Sequence, residues 1–136
     1  MRRSVDYLKS RSDIDRSRIA YFGVSFGGTL APLPLAIEKR FKTAVLWSGG
    51  FPSGRRLPEI DPINFAPRVT IPVLMLNGRQ DLTFPVESSQ IPMFQRLGSP
   101  AADKRHMLFD GGHVFPFARI EKDTLEWLDK YFGPTP

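Results

Sequence analysis

Arg18-Ile19-Ala20-Tyr21-Phe22-Gly23-Val24-Ser25-Phe26-Gly27-Gly28-Thr29-Leu30-Ala31 is the stretch that decides the fold. The β-branched and aromatic run Ile19 to Phe22 predicts a buried strand, and Gly28 onward predicts a helix, so Ser25 falls at a sharp strand-to-helix turn. Such a turn holds the seryl backbone in a strained region of φ/ψ, lifts Oγ clear of the chain and aims the helix N-terminus at whatever Oγ attacks. Gly23 and Gly27, two residues before and after, are expected to make room, because a Cβ at either would strike the neighbouring strand or helix. Gly-x-Ser-x-Gly alone occurs by chance. The flanking strand and helix are what give it weight.

Downstream, Ile71-Pro72-Val73-Leu74-Met75-Leu76-Asn77-Gly78 reads as a buried parallel strand with Asp81 just beyond it; Pro72 belongs at the strand start, where a missing N–H is tolerated. Lys104-Arg105-His106-Met107-Leu108-Phe109 reads as another strand, left through Asp110-Gly111-Gly112-His113. Each polar candidate thus sits at the C-terminal end of a strand, and in a parallel sheet those ends share the edge that binds ligands. Two other carboxylates compete with Asp81. Glu87 falls inside the following helix, and Asp110 is too near His113 along the chain for the usual geometry. His106 lies within a strand and reads as a packed or surface residue, whereas His113 follows two glycines in a loop.

On the elbow, the segment Asn77-Gly78-Arg79-Gln80-Asp81-Leu82-Thr83-Phe84-Pro85-Val86 and Gly111-Gly112-His113, the chain resembles the C-terminal half of a serine α/β-hydrolase of the compact esterase, prolyl-oligopeptidase-like and dienelactone-hydrolase-like kind. The order Ser, Asp, His is the one such a triad takes. Dienelactone hydrolases use a cysteine at the elbow; this chain has none, so the resemblance implies serine chemistry. It also implies an α/β fold with a mainly parallel sheet, the last four strands of the hydrolase domain, flanked by helices in one unit over residues 1–136. Ser25 would be the nucleophile, His113 the base, and Asp81 the group that fixes the imidazole tautomer. The N–H of Phe26 would serve the oxyanion, its second partner normally coming from a loop after an early strand. Complete domains resemble eight-stranded sheets with the elbow after the fifth strand. The expectation is therefore a fragment or half-domain, with Ile19–Phe22 as an open edge through which the chain self-associates or is completed by a missing N-terminal segment.

Composition fits one globular unit: 41% hydrophobic and 24% charged residues point neither to disorder nor to a membrane span. The net charge of +5 is carried by basic residues scattered singly or in pairs, without a recognition motif, so nucleic acid is not an expected partner. With no cysteine and two histidines, neither a metal nor a cofactor is expected. Localisation stays open, a cytoplasmic setting being slightly favoured by the missing cysteines and the lack of a signal-peptide pattern.

Strands are expected at about residues 18–22, 42–47, 73–77 and 104–109. A helix carrying Val5 and Leu8 ends near Arg11. The elbow helix contains Pro32 and Pro34 and should be short or kinked; another helix spans 86–97; in the last, Ile120, Leu125, Leu128 and Phe132 share a face before Gly133-Pro134. The proline-punctuated connection from Ser48 to Thr70 is too short for a cap, which predicts an open, shallow site. Trp47, Phe51, Phe84, Phe115 and Phe117 are candidates to line it, with Phe84 and Phe115 nearest the polar loops. The function these readings converge on is hydrolysis of small carboxylic esters through an acyl-enzyme. The alternatives are a non-catalytic hydrolase-like module, an inactive truncated fragment, and a peptidase of prolyl-oligopeptidase type.

Overall fold

Four strands, β1 (Ala20–Val24), β2 (Thr43–Trp47), β3 (Val73–Gly78) and β4 (Lys104–Phe109), lie in that order in one sheet, and all three pairings are parallel. The computed structural model describes residues 1–54, 56–114 and 117–134. Helices α1 (Arg2–Ser10), α2 (Phe26–Leu30), α3 (Pro32–Ile37), α4 (Pro62–Phe65), α5 (Ile91–Arg96) and α6 (Phe117–Phe132) complete the α/β unit.

The apolar runs of β2 and β3 are buried along their whole length, as strands covered on both faces must be. Alternation splits them between two cores. Ala44, Leu46, Val73 and Met75 join Val5, Tyr21, Leu35, Phe41 and Met93 on one face. Val45, Trp47, Leu74 and Leu76 meet Ile120 and Trp127 of α6 on the other. Two indole N–H groups cross that second layer: Trp127 donates to Thr43 Oγ1 at 2.8 Å and Trp47 to Thr124 Oγ1 at 3.2 Å. These bonds satisfy polar atoms that burial would otherwise leave costly.

Several local expectations shift. β1 begins two residues later than the expected start at Arg18, and Val24 ends the strand, so Ser25 follows directly. The elbow helix divides at Ala31: Pro32 opens α3 in its first turn, where a missing N–H leaves no intrahelical bond unmade. Residues 86–97 do not form one helix. A π-turn over Val86–Gln90, with Gln90 N–H donating to Pro85 O at 3.3 Å, precedes α5, and Pro92 again occupies a first-turn position. In α6 the buried stripe is Ile120, Thr124 and Trp127, flanked by Leu128 and Tyr131, while Leu125 is 53% exposed. Trp127, three residues from Thr124, is buried in this layer with its indole N–H bonded to Thr43, and this seating of the helix on the sheet turns Leu125 outwards.

β1 is an edge strand. Phe22 and Val24, in register with Val45 and Trp47, are half exposed on the α6 face, Phe22 packing edge-on against Trp47 with ring centroids 4.6 Å apart.

Candidate active site

The parallel register brings the C-terminal ends of β1, β3 and β4 to one edge of the sheet, and Ser25, Asp81 and His113 leave from those ends. Ser25 caps α2 with φ 52° and ψ −107°, a backbone conformation that side chains with a Cβ seldom adopt. Its N–H donates to Trp47 O at 2.8 Å and its carbonyl accepts the Thr29 N–H at 2.9 Å, so both the preceding strand and the following helix hold it.

Crowding behind the serine differs from the expectation. A Cβ on Gly23 would lie 2.6 Å from the Gly27 carbonyl and 2.8 Å from the Tyr21 ring, so that glycine is required by space. A Cβ on Gly27 would meet only Tyr21 Oη, at 3.9 Å. Gly27 is not sterically forced; its carbonyl points inward to accept the Tyr21 hydroxyl at 2.7 Å, and its Cα faces open space. The second tight approach is instead at Gly28, where a Cβ would stand 3.0 Å from Gly49 Cα and 3.2 Å from Trp47 O.

Asp81 is buried, 2% exposed. Its Oδ1 accepts the N–H groups of Thr83 at 2.8 Å and Phe84 at 3.0 Å, a turn that curls the chain around the carboxylate. Oδ2 is thereby left for His113, whose Nδ1–H donates to it at 2.9 Å. On the far side of the ring, Nε2 accepts the Ser25 Oγ–H at 2.8 Å. An ionised carboxylate only accepts, so it fixes the proton on Nδ1 and leaves Nε2 as the acceptor.

Supporting contacts that the sequence does not reveal hold this relay. Gln90, fully buried, donates to Gly78 O at 3.2 Å and Phe84 O at 2.7 Å, bracing the acid turn from beneath. Gln80 binds Gly111 twice, through its N–H to Gly111 O at 2.9 Å and its Oε1 from Gly111 N–H at 2.6 Å. Ser48 donates from Oγ to His113 O at 2.7 Å. No sequence pattern marks Ser48 or Gln90, because each acts across the fold on a residue defined only by the folded loops.

A cavity of about 370 Å³ lies against Ser25 and His113, and its other walls are Val24, Trp47, Ser48, Val114 and Ile120. Trp47 is thus on the wall, as the sequence suggests. Phe84 is not: the Asp81 turn draws it inward to 8% exposure, with its ring 5.7 Å from the His113 ring, where it backs the imidazole. Phe115 lies outside the described residues, as does the side chain of Phe117.

The competing groups stand apart. Asp110 is exposed and pairs with Arg79 at 3.5 Å; Glu87 is in the π-turn. His106 lies within β4 beside Phe94, its Nε2 buried without a partner, and burial pushes its pKa down to about 4. Among the described residues no group of three His, Asp or Glu side chains is placed to hold a metal, and no helix is long and apolar enough to cross a membrane.

The model of the dienelactone hydrolase family matches residues 1–121. A candidate carboxymethylenebutenolidase of Escherichia coli (strain K12) is 32% identical over 138 aligned positions, covering 91% of this chain and 50% of that protein; its counterpart in Salmonella typhimurium matches to the same extent. The chain therefore spans about half the length of these relatives. Among solved structures, an α/β hydrolase from Penicillium sp. sh18 superposes with a TM-score of 0.81 at 15% identity, covering 98% of this chain and 70% of that one. A cold-adapted esterase from an Arctic intertidal metagenomic library superposes at 0.76 with 21% identity, covering 96% and 55%. At these identities the likeness is one of fold.

Proposed function

Because the chain belongs to the dienelactone hydrolase family, a family of hydrolases with esterase-like neighbours, we propose that it hydrolyses small carboxylic esters through a seryl acyl-enzyme. The observation that carries this reading is the unbroken relay from Ser25 Oγ through His113 to Asp81, with bonds of 2.8 and 2.9 Å. As Oγ attacks the ester carbonyl, its proton passes to Nε2, and the Asp81 carboxylate stabilises the imidazolium that forms. The Phe26 N–H, in the first turn of α2 where no helical carbonyl precedes it, is the donor assigned to the developing oxyanion. Collapse of the tetrahedral intermediate breaks the ester C–O bond, and His113 gives the proton to the leaving alkoxide. Water, deprotonated by the same nitrogen, then attacks the acyl carbonyl; the C–Oγ bond breaks, and His113 returns the proton to Ser25 Oγ as the acid departs. Serine at the elbow sets this chain apart from the thiolate chemistry of family members with cysteine there.

Val24, Trp47, Val114 and Ile120 make the walls beside Ser25 apolar, which favours an uncharged hydrocarbon acyl group. With p-nitrophenyl acetate and butyrate, the protein should release nitrophenol, and Ser25→Ala should remove that activity; a peptide p-nitroanilide should be left intact. Equal ester turnover by Ser25→Ala, or faster cleavage of the anilide, would contradict the assignment.

A further inference from the structure

The geometry points to Ser48 as a positioning residue that holds His113 in line with Ser25, an inference that rests on reading His113 as the base. Among the described residues only Ser25 and Ser48 combine a side chain with positive φ, at 52° and 48°. They are neighbours across the β1–β2 ladder: the Ser25 N–H donates to the carbonyl of Trp47, the residue before Ser48. The left-handed turn is held firmly. The Ser48 N–H donates to Leu76 O at 2.8 Å; the next residue, Gly49, packs its bare Cα against Gly28, where a Cβ would come within 2.9 Å; and Gly49 O accepts Asn77 Nδ2–H at 2.8 Å. Residues 47–49 thus touch the elbow and the acid-bearing strand at once.

From this fixed point the Ser48 hydroxyl, in a residue only 5% exposed, reaches the histidine loop and donates to His113 O at 2.7 Å. Gln80 ties the near end of that loop at Gly111, and Ser48 ties it at His113 itself. The following residue, Val114, is 88% exposed, so packing does not anchor the loop there. Ser48 therefore references the imidazole to the same rigid turn that carries the Ser25 N–H. Strained φ at a non-glycine residue persists where surrounding contacts over-determine it, and here they do.

Glycine at position 48 accepts a φ of 48° without strain, so Ser48→Gly removes the hydroxyl while leaving the backbone at ease; Ser48→Ala removes it while keeping the Cβ. Three readouts separate positioning from general support: the rate of fluorophosphonate labelling, kcat and KM for p-nitrophenyl butyrate, and the ¹⁵N chemical shifts of the imidazole nitrogens, with His106 as internal reference. In both variants labelling and kcat should fall by about 10- to 100-fold, with KM within about twofold and the melting temperature of Ser48→Gly within a few degrees of wild type. The His113 nitrogens should shift from the Nδ1–H tautomer towards an average of the two. Retention by Ser48→Gly of wild-type rates and tautomer, or a loss of rate with the tautomer intact, would overturn the inference. If the unsubstituted protein proves inert to the probe, the hydrolytic reading fails, and the tautomer comparison still decides the role of Ser48.

Discussion

Gly78, the last residue of β3, is three residues before Asp81, yet its bare Cα faces the loop that leads into His113. A Cβ there would stand 2.1 Å from Gly112 O and 2.5 Å from Gly111 O, both main-chain atoms. Ordinary contact begins near 3.4 Å, so in Gly78→Ala the peptide before His113 must retreat by about 1 Å. The 2.8 and 2.9 Å bonds of His113 tolerate little of that: a misplacement of about 1 Å can cost about 10²-fold in rate, or about 2.7 kcal/mol of transition-state stabilisation. Overpacking separately costs the fold about 1–3 kcal/mol, a fall of about 4–12 °C in melting temperature for a domain of this size. Fluorophosphonate labelling at a temperature well below both melting points separates the two effects. A labelling rate within twofold of wild type would refute the reasoning, because the imidazole would then not depend on the Gly111–Gly112 backbone held against Gly78.

The elbow glycines should part company: Gly23→Ala, with 2.6 Å approaches to backbone, should destabilise the protein by about 1–3 kcal/mol, whereas Gly27→Ala, meeting nothing closer than 3.9 Å inside α2, should leave chemical denaturation midpoints unchanged or raise stability by up to about 1 kcal/mol. His106 should make stability depend on pH. Burial holds its folded pKa near 4 against 6.5 when exposed, so from pH 6.5 down to 4 the unfolded chain takes up a proton that the folded chain refuses, and stability falls as pH falls. Allowing for the part of the ring that water reaches, the loss between pH 7 and pH 5 should be about 1–2 kcal/mol by urea titration. His106→Phe, which keeps a ring against Phe94, should flatten that segment of the curve relative to wild type.

β2 and β3 were legible because each is a short, mainly apolar run of strand length closed by a turn, the pattern that a strand buried on both faces produces. The convergence of Ser25, Asp81 and His113 was legible because each was expected just beyond the C-terminal end of a strand, and the parallel register gathers those ends whatever their sequence separation. Less of the detail could be read. The start of β1 slipped by two residues because Ile19, though buried, precedes the ladder and belongs to the incoming loop. In α6, hydropathy placed Leu125 inside, but the indole N–H of Trp127 bonds to Thr43 and seats the helix by a polar contact no periodicity encodes. Phe84 was read as a substrate wall from its nearness to Asp81; the two N–H bonds to Oδ1 turn it inward. Ser48 is 65 residues from His113, and its φ of 48° is a property of the assembled sheet edge.

The most direct test of the central claim is the site of covalent modification. After brief exposure to a fluorophosphonate, peptide mapping by mass spectrometry should find one adduct, on Ser25, and none after substitution of Ser25 by Ala or His113 by Ala. An adduct on another serine, or labelling that persists in the His113→Ala protein at the wild-type rate, would contradict the account.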